Sequence, residues 1–306
     1  MIAGIFAFAH SGSPRWQIVD GDRASQRADA RRQVALPSRH RDRWSPNGSR
    51  KKTVVGRLQD KVCIITGTGG GMGRAAALMF AREGAKVIGC DVYPAGAESI
   101  VEEVRAAGGD MVSLHPCNLT DPAQCQALVD LAIQTYGRID ALYNNAAMAY
   151  FGWFGELSDE DWHKTLNEEI NLVYLLTKAA WPHLKKNGGA IVNTASISGW
   201  QGLKTLPGIA HSTAKGGILG MTRHLAMEGG KFGIRANTIS PGVIESNQTR
   251  PLLQDKEWAD YMLGRVMLGR LGKVEEIASI ALFLASDEAS YVTGADLLAD
   301  GGMSAW

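Results

Sequence analysis

The sequence predicts a doubly wound α/β domain, a parallel sheet with helices on both faces. Three observations predict it. Short apolar runs alternate with amphipathic segments from Leu58 onward, a glycine-rich turn joins the first run to strong helix formers, and an aspartate closes the second run. Such alternation is what consecutive βαβ units require. With 306 residues and 45% hydrophobic content, the chain can bury the core of one large domain.

In order, strands are expected at residues 62–66, 86–90, 111–114, 141–143, 190–193, 235–239 and 296–298. Helices are expected at 75–83 and 97–107, with further helices between the later strands. Seven strands in one continuous pattern place a single domain at residues 57–306.

Residues 1–56 read differently. They hold 11 of the 32 Lys and Arg but only 4 of the 31 Asp and Glu, contain Pro14, Pro37 and Pro46, and show neither helical nor strand period. The stretch is expected to be disordered, or to lie upstream of a true start near Val54 or Val55. Met1–Ala9 is apolar but lacks a preceding basic region and a cleavage site, and four aspartates count against a transit peptide. With the tail set aside, residues 57–306 carry 21 basic and 27 acidic residues. A nucleic-acid binder would aim its positive charge from the folded domain, so nucleic acid is not expected as a partner.

No stretch is long and apolar enough to suggest a bilayer span, so no membrane partner is expected. Cys63, Cys90, Cys117 and Cys125 lack metal-ligand spacing. They read as small hydrophobes of a reducing, cytoplasmic compartment, and no metal site is expected.

After the first strand stands Thr66-Gly67-Thr68-Gly69-Gly70-Gly71-Met72-Gly73. Glycines let the backbone turn sharply and approach a pyrophosphate, whose charge the free N–H groups of the next helix stabilise. A tight strand-to-helix connection would use glycines too. Asp91, 18 residues past Gly73, favours the nucleotide reading, because a carboxylate there can bind an adenosine ribose. That carboxylate would repel a 2′-phosphate, and neither Gly70 nor Val92 supplies a cation to neutralise one. The expected cofactor is therefore NAD on a Rossmann-like sheet, with Arg74 read as a solvated side chain.

From about Leu58 to Gly302 the chain resembles the short-chain dehydrogenase/reductase family. Gly67, Gly71 and Gly73 have the family spacing, with Gly70 and Met72 in the same turn. Asn144-Asn145-Ala146-Ala147 is similar to the family's Asn-Asn-Ala-Gly, with Ala147 for the glycine. Tyr291-Val292-Thr293-Gly294 through Asp300-Gly301-Gly302 matches its C-terminal strand and turn. The resemblance implies further cofactor contacts from Asn118, Leu119, Asn145, Ala146, Pro241, Gly242, Val243 and Ser246. Asn118 stands where many relatives hold the adenine with aspartate, and Val243 would meet the nicotinamide carboxamide through its backbone. The resemblance also implies Asn171 as the asparagine that supports a proton-relay water, Ser196 as the catalytic serine and Lys215 as the lysine that binds the ribose. A homotetramer or dimer is implied as well.

One position departs from the pattern. The family's Tyr-x-x-x-Lys reads here His211-Ser212-Thr213-Ala214-Lys215. In the family the tyrosine exchanges a proton with the substrate oxygen while hydride moves to or from the nicotinamide. Four-residue spacing keeps both side chains on one helix face. Histidine can exchange protons near neutrality, although it reaches less far than a phenol. The Lys215 ammonium disfavours an imidazolium, which points to His211 as a base for alcohol oxidation. The expected function is thus an NAD-dependent oxidoreductase interconverting a secondary alcohol and a ketone, with His211 or a nearby group such as Tyr150 moving the proton. A silent NAD-binding protein and an elimination catalyst on the same fold remain alternatives.

Tyr150, Phe151, Trp153, Phe154, Trp200, Trp258, Tyr261 and Met262 lie where they could line a cleft for a cyclic or apolar substrate. Packing explains any one of them equally well. His115, His163, His183 and His224 are scattered and read as solvated or packed. The helix around 162–181 suits a subunit interface.

Overall fold

The computed structural model describes residues 56–246, 249–250 and 252–306, so the extension expected at 1–56 lies, but for Gly56, outside the described residues. The strands are β1 (Val62–Thr66), β2 (Lys86–Cys90), β3 (Asp110–Leu114), β4 (Ala141–Asn144), β5 (Gly189–Thr194), β6 (Ile234–Pro241), β7 (Ile244–Glu245), β8 (Gly272–Lys273) and β9 (Asp296–Ala299). Seven of them form one parallel sheet in the order β3-β2-β1-β4-β5-β6-β9. These are the seven strands the sequence predicts, each within two residues at either end. The short β7–β8 pair, unforeseen, fastens the segment after β6 to the segment before the last long helix.

The helices are α1 (Gly71–Arg82), α2 (Pro94–Ala106), α3 (Pro122–Tyr136), α4 (Asp159–Leu166), α5 (Leu172–Asn187), α6 (Ile209–Gly229), α7 (Lys256–Gly264) and α8 (Val274–Ala285). A π-helical turn, Asn167–Asn171, joins α4 to α5 where the sequence suggests one unbroken helix.

β1 is buried at all five positions, as a central parallel strand must be when helices cover both faces. One face packs Phe80, Ile100, Met111 and Leu282 from α1, α2, β3 and α8. The other packs Leu128, Leu176, Leu184 and Ile218 from α3, α5 and α6. Caps set several boundaries: Asp121 accepts from Ala123 N ahead of α3, Ser158 accepts from Asp161 N ahead of α4, and left-handed Gly137 ends α3. α1 begins at Gly71, earlier than the helix formers suggest, because first-turn N–H groups need no intrahelical partner and glycine there costs little.

The chain winds from β1 outward through β2 and β3, then returns to add β4 on the other side of β1. Open α/β sheets bind ligands at the carboxyl ends of the strands where that reversal opens a crevice. Here those ends are Thr66, Asn144 and Thr194.

Candidate active site

Two kinds of glycine build the turn after β1. Gly67 has a φ of 71°, and Gly67 N and Thr68 N both donate to Cys90 O, tying the turn to β2. A Cβ at Gly73 would lie 2.1 Å from Gly67 O and 2.7 Å from Asn145 Nδ2, so this position must stay bare for the turn to close. A Cβ at Gly70 or Gly71 would meet nothing within 4 Å. The first pair is spent on backbone packing, and the second faces open space.

α1 starts behind this space with Gly70 as its cap, no side-chain bond to its first N–H groups and no acidic residue in its first turn. Thr66 Oγ1 accepts from Asn145 N and Ala146 N, each at 2.9 Å, and Asn145 Nδ2 donates to Thr66 O at 3.0 Å. Met72 packs on the core from the same turn. Asn145 Oδ1 and Asn144 Oδ1 are buried without partners among the described residues. Free amides and a clear approach suit a dinucleotide pyrophosphate, whereas the unspent amide oxygens of Asn144 and Asn145 can bond only a donor such as a hydroxyl or a water.

Asp91 Oδ2 accepts from Gly69 N at 2.8 Å and its Oδ1 from Tyr93 N at 2.9 Å, so the carboxylate is fixed beside the turn. Arg74 pairs with Glu103. Asn118 Oδ1 accepts from Thr120 N and Thr120 Oγ1, which leaves its amide nitrogen without a partner among the described residues, and the next residue, Leu119, is buried.

At the far end of the crevice, Pro241 closes β6 and Gly242 N donates to Ala299 O at 3.0 Å. A Cβ on Gly242 would lie 2.7 Å from Asp300 Cα. Val243 O accepts from Gly272 N, and Ser246 N donates to Thr249 Oγ1.

Ser196 leads into a short 3-10 turn, Ile197–Gly199, where its Oγ accepts from Ser198 N at 3.1 Å. Ser198 is buried whereas Ser196 is partly exposed, so Ser196 is the accessible one of the two serines. Gly199 lets this turn lie against α6, since a Cβ there would come within 2.9 Å of Gly216 N.

On α6, His211 and Lys215 stand one turn apart, as their spacing predicts. Lys215 is 4% exposed and its Nζ donates to Thr194 O at 3.2 Å. The third member of the cluster is Glu169, which is 2% exposed. His211 Nδ1 lies 2.9 Å from each of its carboxylate oxygens, and Lys215 Nζ lies 3.5 Å from Oε1. The ammonium therefore does not act on the imidazole alone, as the sequence suggests, because a buried carboxylate contacts both. Phe151 leans over the same imidazole, ring centres 5.8 Å apart.

The structure does not bring Asn171 to this cluster. Its side chain is exposed and donates to Asn167 Oδ1 at 2.6 Å. The helical phase explains why. Thr165, Glu169, Val173, Leu176 and Ala180 recur at three or four residues and are buried, whereas Asn171, Tyr174 and Lys178 share the exposed side. That periodicity was a signal for Glu169 in the sequence, which the match to an asparagine motif obscured. Tyr150 is also engaged elsewhere: its hydroxyl donates to Glu168 Oε2 at 3.3 Å, and the Glu168 charge raises its pKa. The phenol therefore stays protonated near neutrality and is not available as a base.

The aromatics divide. Trp258 and Met262 are buried with Ile197, Leu203, Val266 and Met303, and so serve packing. Phe151, Trp153, Phe154 and Trp200 remain at least half exposed, with Trp200 Nε1 donating to Asp296 Oδ2. Burial pushes the Cys125 thiol up to about 12 and also raises Cys63, as inert core thiols require. Among the described residues no three His, Cys, Asp or Glu side chains group as metal ligands, and no helix is long and apolar enough to cross a membrane.

Sheet order, glycine turn and crevice define a dinucleotide-binding α/β protein. The family model described as enoyl-(acyl carrier protein) reductase matches residues 67–304. The chain is 39% identical over 249 residues to the 3-oxoacyl-(acyl-carrier-protein) reductase FabG of Thermotoga maritima, covering 81% of this chain and 99% of that one. It is 36% identical to cyclohexanol dehydrogenase of an Acinetobacter species, covering 82% and 98%. The solved structure of gox2181 superposes with a TM-score of 0.80 at 31% identity, covering 82% and 98%. The chain belongs to the short-chain dehydrogenase/reductase family, oxidoreductases that use nicotinamide nucleotides.

Proposed function

We propose that residues 57–306 form an NAD-dependent oxidoreductase interconverting a secondary alcohol and a ketone on a cyclic or apolar small molecule, with His211 in the proton-transfer role. The carrying observation is that His211 and Lys215 share one face of α6 at the crevice and contact a single buried carboxylate. An imidazole so placed can take a proton from a substrate hydroxyl. Ser196 is partly exposed at the head of the turn packed on α6, where its hydroxyl can hold the substrate oxygen.

Gly70, Gly71, Met72 and the first N–H groups of α1 would hold the pyrophosphate; Asp91, Asn118 and Leu119 the adenosine; and Lys215, with Pro241 through Val243 and Ser246, the nicotinamide end. When bound, the nucleotide supplies the two-electron acceptor or donor. Asp91 supports NAD over NADP, because its carboxylate is fixed where a 2′-phosphate would crowd it and Arg74 is paired with Glu103. Phe151 beside His211 supports a cyclic or apolar substrate, and relatives named cyclohexanol dehydrogenase and meso-2,3-butanediol dehydrogenase act on secondary alcohols. Four free cysteines fit a reducing cytoplasm, and half-exposed Tyr174 on α5 fits a homo-oligomer.

The test is nicotinamide absorbance with NAD and a panel of cyclic and aromatic secondary alcohols, comparing wild type with His211→Ala and His211→Tyr. Turnover should fall about 100- to 10,000-fold in the alanine variant. Nucleotide binding without turnover in wild type would establish a silent binder instead, and product without an absorbance change would establish elimination.

A further inference from the structure

We propose that Glu169 is a positioning residue that holds His211 as its Nδ1–H tautomer and leaves Nε2 as the atom that exchanges the proton. The inference rests on the proposed role of His211 and adds a residue that no sequence motif assigns. An ionised carboxylate only accepts hydrogen bonds, so the ring nitrogen 2.9 Å from both of its oxygens carries the hydrogen. His211 Nε2 has no partner among the described residues and is not among their buried, unsatisfied atoms. It is therefore a free lone pair at the crevice.

The location of the carboxylate argues for more than charge balance. Glu169 is 2% exposed on a π-helical turn, a helical irregularity found often at functional sites. Ile170, the next residue, packs close to α6, where a Cβ on Gly217 would lie 2.5 Å from Ile170 Cδ1. Bare Gly217 thus lets the turn seat against α6, which brings Glu169 onto the face carrying His211 and Lys215. A counter-ion for Lys215 alone would need one oxygen on the ammonium. Here both oxygens lie nearer to His211 Nδ1 than either lies to Lys215 Nζ.

In the oxidative direction the substrate O–H proton passes to Nε2. The substrate C–H hydrogen would leave with its electron pair as the carbonyl forms, and an oxidised nicotinamide nucleotide, when bound, would supply the acceptor for that hydride. The ring becomes doubly protonated and positive, and the Nδ1–H bond to Glu169 is retained throughout, with the negative charge facing the new positive one. Orientation and tautomer are the contribution of Glu169; it does not touch the substrate.

Glu169→Gln tests this at nearly constant shape. The amide oxygen should stay with the Lys215 ammonium, which only donates, and turn the amide NH2 toward His211 Nδ1. An Nδ1–H would then face that NH2 hydrogen against hydrogen, so Nδ1 should accept from it instead and the ring should become the unproductive Nε2–H tautomer. The measurement is nitrogen-15 NMR of histidine-labelled protein at alkaline pH, alongside kcat, KM and NAD affinity. Wild type should show Nδ1–H at His211, and the variant Nε2–H. Its kcat should fall about 100- to 10,000-fold, with KM and NAD affinity within about threefold. Retained NAD affinity shows that the variant is folded.

An Nε2–H ring in wild type, or wild-type kcat in Glu169→Gln, overturns the proposal. A tautomer switch in a protein that turns over no alcohol would leave Glu169 positioning His211 and remove the dehydrogenase reading, so the two failures are distinguishable.

Discussion

The two sides of the crevice are built on different principles. On the proposed nucleotide side the backbone makes the site: Gly67 and Gly73 permit a close crossing, Gly70 and Gly71 leave open space, and the first N–H groups of α1 are free of side-chain caps. On the substrate side the side chains make it. Glu169, His211 and Lys215 come from two elements and meet only because each helix presents a particular face. A backbone site tolerates most side-chain changes except at its glycines. A side-chain site changes when one position changes.

Lys215→Met should give the largest effect, because Lys215 joins the sides: its Nζ bonds the end of β5 and faces Glu169. Removing one member of a buried ion pair leaves the other charge uncompensated, which costs about 3 kcal/mol. His211 still faces the carboxylate and should keep the loss near that value. Urea unfolding measures it. An unchanged midpoint would mean that Lys215 does not couple the two sides.

Next are two glycines of the same turn. Gly73→Ala would push a methyl group to within 2.1 Å of Gly67 O, so the turn must shift. It should cost about 1–3 kcal/mol of stability and weaken NAD binding as well. Gly70→Ala has open space and should leave thermal stability unchanged while weakening NAD binding about tenfold, because the methyl group would occupy the room proposed for the nucleotide. Equal melting losses in both would erase the distinction between packing and open glycines.

The same contrast explains what the sequence made legible. Buried parallel strands show as continuous apolar runs, so β1 and β2 were readable residue for residue. Glycine spacing encodes a backbone path directly, so the turn was readable too. The side chain of Asn171 does not join the cluster of Glu169, His211 and Lys215, because the π-helical turn and the buried phase of α5 bring Glu169 inward and send Asn171 to solvent. A linear motif carries no record of helix phase. Likewise Trp258 and Met262 could be read as pocket or as packing until their neighbours were known, and those neighbours are Ile197, Leu203 and Val266.

A smaller effect should come from Asp91→Ser. The carboxylate holds Gly69 N and Tyr93 N, bonds that a serine can partly replace. NAD affinity should drop about tenfold and NADP affinity rise, as a fluorescence titration with each nucleotide would record. Unchanged preference would place cofactor selection elsewhere on the nucleotide side.

The smallest expected effect lies where the substrate side is fastened to the sheet. Glu276 accepts from Arg270 Nη1 and Nη2 and from Lys273 N, joining the chain before β8 to the first turn of α8. The Arg270 guanidinium, then the Lys273 N–H, holds its carboxyl down at about 2, below the 4.5 of a free glutamate. A carboxyl whose folded value is depressed contributes stability that is fully present above the unfolded value and is lost as pH falls through the folded one. The contribution should therefore be complete near neutrality and fade between about pH 4.5 and about 2. The pair is solvent-exposed, so the gain is small and salt-sensitive. Glu276→Gln should lower the urea midpoint slightly at neutral pH, and the gap should narrow as the solution is acidified or as salt is added. A gap that is constant with pH would mean that Glu276 acts through packing on α8 rather than through its charge.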